Sequence, residues 1–451
     1  MSLPGNDSNP RPLHGLKIAI TIPPPSWFGS VDFKFAHDMA ADLRAMGADL
    51  IEVDTGRLVA RDPLYVPEIL ADLRRFKPDV ALATPNAGYG VLCADAEGRN
   101  LFRDHLEIPT LMIWDHGALQ FSRLLLTPLP ETPSGSSEGS IARMRDALDH
   151  PLFIHYSPDR GHTAVMRELG ILVRQPVHQF VQPAFPVYTR PVTELSAAAA
   201  PRIAFAGNVY LESAQRLKFR ENPVLAAVES GMLAAKTARP QASLWELLME
   251  EIGRLEDSVR RELRLFPDAS FFWRFTTDEI IFAGTTHVRL NMLTSIRRRV
   301  DFFGNFVEPN SSAVLRDRYG LRMGPVLDFG SGSGLPWLYR NAEIVVDAVH
   351  PCYISGTSPK INSCFAAGGL MLFDWREEYR QALGDIAERV MYRDADHLNA
   401  RIDEYLGDPR LRREVAREMQ DRVLGEFTFA HLTRRMLVSE PAWRGARTAG
   451  A

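Results

Sequence analysis

The sequence predicts an α/β protein built from two doubly wound domains, and three observations carry that expectation. Apolar strand-like runs alternate with amphipathic helix-like runs over short connections, the pattern of a parallel sheet with helices on both faces. The alternation occurs twice, on either side of "TELSAAAAP" from Thr193, which has the composition of a linker. The length, 451 residues, exceeds what one domain usually holds. The expected division is a disordered lead-in at 1–15, a first Rossmann-like domain at 16–198, a second at 199–440 with a helical segment at 211–265, and a tail at 441–451.

The elements follow in order. "LKIAITI" from Leu16 is a continuous apolar run of the kind buried on both faces of a parallel sheet. After "PPPSWFGS", the stretch "DFKFAHDMAADLRAMG" is an amphipathic helix that Gly47 caps. "ADLIEVD" is a strand, "VPEILADLRRFKP" a helix, and "DVALATP", "IPTLMIWDHG" and "PLFIHYSP" are further strands. "HTAVMRELG" is helical and "ILVRQPVHQFV" extended. "TPLPETPSGSSEGS", Thr127–Ser140, is a Pro/Ser/Gly-rich loop inside this domain, because the alternation resumes after it. The second domain opens at "RIAFAGNVY". It is mostly helical from Arg216 to about Arg264, then carries strands at "RVDFFGNF", "PVLDFGSGSG", "AEIVVDAV", "GLMLFDW" and "RVMYRD" before a helical tail from His397. No repeat of solenoid period is visible.

Composition narrows the function classes. A formal net charge of −4 gives no basic excess for a nucleic-acid surface. Three cysteines without close metal-type spacing suggest a reducing compartment and no disulfide framework. No apolar run reaches the roughly 18 residues of a membrane span. The polar N-terminus lacks a basic-then-apolar leader. A cytoplasmic protein is the expectation, with peripheral membrane contact left open.

"VLDFGSGSG", Val326–Gly334, poses a choice. An apolar strand leading into Asp328 and three alternate glycines is similar to the first motif of S-adenosylmethionine methyltransferases, and Asp347 lies seventeen positions after Gly330, near the distance of a ribose-binding acid. A methyltransferase sheet begins at that motif and needs several more strands behind it, yet three strands follow here. The intervening "LPWLYRNA" carries Pro336 and is short for a crossover of roughly ten to twelve residues. Otherwise the glycines permit a tight loop after a core strand.

A set of segments in fixed order points elsewhere. "RIAFAGN", "VDFFGN", "LYRNAEIVVDA", "GTSPKINSCFAAGG", "VMYRDADHLNARIDEYLGDPRLR" and "FTFAHLTRRML", together spanning about Arg202 to Leu437, resemble the C-terminal half of a GT-B glycosyltransferase of the group 1, family 4-like kind, and most of all the spore-maturation-type glycosyltransferase-like group. The first domain agrees as a fold only. The resemblance implies two Rossmann-like domains facing a cleft, a nucleotide-sugar donor (UDP- or GDP-linked) on the second, and a hexosyltransferase-type activity. It also implies a glycan, protein or small-molecule acceptor on the first. One departure stands out. Broad retaining members carry R-x-x-E-x-x-x-x-G in the donor helix, whereas here Lys360 and Ser363 occupy the Arg and Glu positions before Gly368. Stereochemistry is therefore open, as is a non-catalytic GT-B-like binding protein.

Sugar transfer needs a cradle for the diphosphate, a grip on the nucleoside and, for inversion, a base. In "GTSPKINS", Gly356 permits close backbone approach, Thr357 and Ser358 offer donors, and Pro359 opens a helix whose N-terminus attracts phosphate. Lys360 adds charge to the leaving group, with no metal required, and Asn362 or Ser363 are neutral candidates for ribose. The bland alternative is a Ser-capped surface helix with a solvated lysine. Gly207 and Asn208, and Gly304 and Asn305, follow strands at the sheet edge where ligands of open α/β sheets bind, or merely turn the chain. For the base, Asp115 and His116 in "IWDHG" come first, then His37 and Asp32; a satisfied polar strand end is the competing reading. Trp27 offers a flat face for a sugar ring, or packs under its loop.

Overall fold

The computed structural model describes residues 11–22, 30–59, 62, 64–83, 99–114, 142, 145–189, 200–209, 211, 221–265, 283–304, 311–324, 334–439 and 441–446. The expected loop at 127–140, the linker at 193–199 and the strand and glycine loop at 325–333 lie outside these residues.

The first sheet is parallel, ordered β2-β1-β3-β4-β5-β6, from β1 (Lys17–Ile22), β2 (Asp49–Asp54), β3 (Val80–Ala83), β4 (Thr110–Ile113), β5 (Phe153–Ser157) and β6 (Val177–Gln179). β1 is buried at five of its six positions, as a run of apolar residues without alternation requires. Helix α1 (Ser30–Ala45) covers one face with Phe35, Ala36, Met39, Ala40 and Leu43, a stripe at helical spacing. Gly47, at φ +92°, ends that helix in the left-handed region that a side chain resists. Helix α2 (Tyr65–Phe76) covers the other face through Ile69, Leu70 and Leu73. Helix α3 (Arg160–Glu168) joins β5 to β6.

The second sheet is also parallel, ordered β12-β11-β10-β7-β8-β9. Its strands are β7 (Ile203–Ala206), β8 (Asp301–Phe303), β9 (Arg322–Met323), β10 (Ile344–Asp347), β11 (Met371–Asp374) and β12 (Met391–Tyr392). The expected helical segment is present between β7 and β8 as α4 (Pro223–Ala238), α5 (Leu244–Gly253) and α6 (Asp257–Glu262), with their own apolar cluster around Leu225, Leu247 and Leu248. Helix α7 (Thr285–Ser295) then leads into β8, and α8 (Ser311–Tyr319) into β9. Three strands follow the glycine loop, as expected. Helices α9 (Gly334–Asn341), α10 (Pro359–Ala366) and α11 (Glu377–Leu383) connect them, and α12 (Ala395–Gly407) and α13 (Pro409–Glu426) follow β12.

The chain crosses between the sheets twice. Going out, Ala184 pairs with Thr428, and its N–H donates to Phe427 O at 2.8 Å. Coming back, α14 (Phe429–Arg434) packs on α1, with the Phe429 and Phe35 rings 4.5 Å apart and Phe185 edge-on at 6.3 Å from Phe35. The last helical turns therefore belong to the core of the first sheet, although they follow the second in sequence. Among the described residues no helix is long and apolar enough to cross a membrane.

Candidate functional site

In the second sheet β7 and β10 are neighbours, yet the chain leaves β7 towards β8 on one side and β10 towards β11 on the other. This reversal opens a crevice beyond the carboxyl ends of the two strands, the place where open α/β sheets take ligands. Gly207 and Asn208 follow β7 there, and the loop 348–358 follows β10.

Four side chains converge on the crevice floor. Asp347, the last residue of β10, is fully buried. Lys360, on the first turn of α10, reaches back under the loop and donates from Nζ to Asp347 Oδ1 at 2.8 Å and to Ala206 O at 2.7 Å. Arg289, from α7, donates to Asn208 O at 2.7 Å and lies 4.0 Å from Asp347 Oδ1. Both cations stand over the Phe205 ring, at 5.5 Å for Lys360 and 5.6 Å for Arg289. Asp347 Oδ2 has no hydrogen-bond partner among the described residues. Burial lowers the pKa of the Lys360 ammonium, with Asp347 pulling the other way and Arg289 reinforcing the fall. Two cations against one carboxylate leave the floor with an excess positive charge, a fixed field for an anionic ligand.

The loop above is built by short-range rules. Ser358 Oγ accepts from Lys360 N at 3.3 Å and caps α10, with Pro359 at the first helical position. Gly368, at φ +84°, closes the other end. A Cβ on Gly356 would collide with Pro158 O, and one on Gly304 would come within 2.5 Å of Gly207 O. Both glycines are thus held by close backbone approach. Thr357 is buried.

The flank of the same loop is gripped by the first domain. Asp159 caps α3 by accepting from His162 N at 3.0 Å. The same carboxylate accepts from Ile354 N at 2.7 Å, Ser355 N at 3.2 Å and Ser355 Oγ at 3.0 Å. Gly161 N donates to Ser355 Oγ at 2.7 Å, and Glu378 also meets that hydroxyl and accepts from Arg160 N at 2.9 Å. Burial raises the pKa of the Glu378 carboxyl, and the nearby charge of Asp159 adds to the rise.

Of the residues singled out in the sequence, Gly207, Asn208, Gly304, Gly356, Thr357, Ser358 and Lys360 gather at this crevice. Asn362 and Ser363 turn inwards instead. Asn362 donates to Gln182 O at 2.6 Å and accepts from Tyr379 Oη at 2.6 Å, and Ser363 Oγ accepts from Phe185 N at 3.3 Å. Both are buried, and they fasten α10 to the outgoing crossover. Asp115, His116, Asn305 and Trp27 lie outside the described residues, as does the side chain of Asp32 on α1. His37 is half-buried on the same helix. Arg289 and Asp159 escaped the sequence reading, and Asp347 drew notice as a ribose-binding acid of the methyltransferase alternative, not as the partner of Lys360. Among the described residues, no group of three or more His, Cys, Asp or Glu side chains is placed to hold a metal ion.

Comparison with solved structures is decisive for the architecture. A sucrose-phosphate synthase from Thermosynechococcus elongatus superposes over 96% of this chain and 100% of its own, with a TM-score of 0.51 at 11% identity. Anabaena HepE, solved in complex with UDP-glucose, superposes over 94% of this chain and 99% of its own, with a TM-score of 0.50 at 10% identity. The fold is GT-B. A sequence-family profile described as "Glycosyl transferase-like" matches residues 291–438, from the end of α7 to the turn after α14. No curated protein sequence matches this one. In the GT-B frame the glycine loop at 325–333 falls between the third and fourth strands of the second sheet, not after a first strand, which removes the topological basis of a methyltransferase site.

Proposed function

We propose that the protein is a glycosyltransferase that moves a sugar, of hexosyl type, from a nucleoside-diphosphate donor to an acceptor hydroxyl. The reading rests above all on one observation: the profile match at 291–438 contains Asp347, Lys360 and the loop 348–358 between them, while Phe205 and Arg289 of the same floor precede it. The donor diphosphate sits on Gly356, Thr357 and Ser358 at the start of α10, with the positive floor of Lys360 and Arg289 beneath it. Lys360 and Arg289 then offset the charge that grows on the leaving diphosphate, with no step that requires a metal. Gly207, Asn208 and Gly304 line the rim towards the nucleoside, and Asn305, next in sequence, is a further candidate. A base, when the reaction inverts, comes from Asp115 or His116, the residues that follow β4 in sequence. Donor identity follows the neighbours only as a choice of first probe: UDP-glucose is the ligand in the HepE structure. A cytoplasmic setting suits an activated-sugar donor.

The test is a thermal-shift screen with UDP, GDP and their sugars, followed by hydrolysis of any sugar nucleotide that binds. A rise in the unfolding midpoint with UDP or GDP and release of free sugar support the proposal. The absence of any nucleotide shift overturns it. A shift without turnover, with Ser363 in place of the acidic residue, is the behaviour of a non-catalytic binding member.

A further inference from the structure

Beside the crevice a second cavity, of about 300 Å³, lies between the helical segment and the ends of β10 and β11. Lys236 of α4 enters it from one side, and Asp374, Trp375 and Arg376 from the other, with Ser355 and Val349 on the floor.

Its unspent hydrogen-bonding capacity is cationic. Lys236 Nζ donates to Pro240 O at 2.7 Å and Ala242 O at 2.8 Å, so one of its three protons has no acceptor among the described residues. The Arg376 side chain is only 11% exposed. It donates to Asp374 Oδ2 at 2.6 Å and Tyr353 O at 3.3 Å, while its buried Nε has no hydrogen-bond partner among the described residues. Asp374 is already used on both oxygens, by Arg376 and by Val349 N at 2.6 Å. Two partly buried cations thus stand beside one carboxylate that already accepts on both oxygens. Each terminal nitrogen of Arg376 keeps one further N–H beyond these two bonds, a donor pair that an anion can meet. Glu377 also borders the cavity, but its carboxylate pairs with Arg380.

We infer that this cavity is a binding site for a small organic anion, a carboxylate or phosphate carried on a body of about monosaccharide size. The anion accepts from Lys236 Nζ and from the unused N–H of the Arg376 terminal nitrogens, and the body rests on Trp375 and Val349. The ligand is separate from the nucleotide donor proposed above. It lies behind the loop whose other side Asp159 holds, since Ile354 and Ser355 border the cavity and also bond to Asp159.

Burial lowers the Lys236 pKa to about 8, which makes its amine open to acylating reagents near neutrality and gives the site its own readout. The experiment measures the unfolding midpoint and the acylation rate of Lys236 by mass spectrometry, with inorganic phosphate, glucose 6-phosphate, glucuronate and neutral glucose as probes. We expect glucose 6-phosphate or glucuronate to raise the midpoint and slow acylation, and glucose to do neither. Which of the two binds separates a phosphate from a carboxylate source. Arg376→Gln should weaken that protection about tenfold, the loss of one hydrogen bond to a charged group. Lys236→Met should abolish the midpoint shift while keeping the response to UDP. Protection in the wild-type protein stands even if Arg376→Gln folds poorly. Three outcomes overturn the inference: no charged probe protects Lys236, both variants bind as the wild type does, or UDP displaces the probe, which would make the cavity part of the donor site. A UDP shift without any anion effect leaves the glycosyltransferase reading intact and sinks this one alone.

Discussion

The Lys360–Asp347 pair makes the sharpest prediction. Lys360→Met keeps most of the side-chain volume and removes the ammonium. Asp347, fully buried, then faces Arg289 at 4.0 Å as its nearest cation, with Oδ2 still unpartnered, and Ala206 O loses its donor. Breaking a buried pair from one side typically costs about 3–5 kcal/mol. Arg289 offsets part of the charge, and Lys360 is 17% exposed, so the expected cost is about 3 kcal/mol, at the low end of that range. At roughly 2–4 °C per kcal/mol for a unit of this size, the midpoint falls by roughly 6–12 °C. Asp347→Asn costs less, because burial and Arg289 lower the Lys360 pKa and the Asp347 charge that opposes them is then gone, so the stranded ammonium can shed its proton. In the double variant neither charge is stranded, so its loss is smaller than the sum of the two single losses. Calorimetry on the four proteins measures this directly. Midpoints that add within error, or a Lys360→Met loss under about 2 °C, would refute the buried pair and with it the charged floor.

Three further outcomes follow from the same geometry. Gly356→Ala places a methyl against Pro158 O and 3.1 Å from Asp159 Cβ, so either the loop or the start of α3 shifts; a loss of about 1–3 kcal/mol and a weakened UDP shift are expected, whereas Gly253→Ala, with nothing within 4 Å, changes neither. Glu378 has a raised folded pKa, so its ionisation opposes folding, a penalty absent below the ordinary carboxylate range and growing as pH rises towards the folded value. Glu378→Gln should therefore be more stable than the wild type at pH 7 and match it near about pH 4, and a difference independent of pH would count against the raised carboxyl. Asp159→Ala leaves the Ile354 and Ser355 amides without their acceptor, and protease cleavage near residue 354 should rise well before global unfolding.

The strands were legible where burial on both faces forces an unbroken apolar run, as in "KIAITI" and "EIVVDA". The two-residue β9 was not, because Arg322 and Met323 sit at a sheet edge with little apolar surface to mark them. The capped start of α10 was readable, since Ser358 and Pro359 act over two or three residues. The partners of its residues were not. Lys360 meets Ala206 across 154 positions only because β10 lies beside β7, an order that no local spacing encodes. Ser363 stands at the acidic position of the family pattern and was, with Asn362, a neutral candidate for ribose, yet both face the crossover at 182–185, which sequence alone does not bring near. Arg289 sits in "TTHVRLNMLTS", where no apolar stripe separates a buried arginine from an exposed one.

The loop 350–358 is where these observations meet. Its middle is bonded to Asp159 of the first domain, its end caps α10 above Lys360, and Ile354 and Ser355 border the second cavity. The loop is too short for these contacts to vary independently. Asp159 is buried and accepts two of the loop's amides and one hydroxyl, so separating the domains would leave both amides without an acceptor, while the carboxylate keeps His162 N and the hydroxyl keeps Glu378. Opening therefore needs either water in their place or a changed loop, and a changed loop moves the cap of the helix that carries Lys360. A ligand that binds only one loop shape must, by linkage, favour one domain arrangement to the same extent. Any movement that breaks the Asp159 contacts therefore also acts on the loop that caps the helix carrying Lys360.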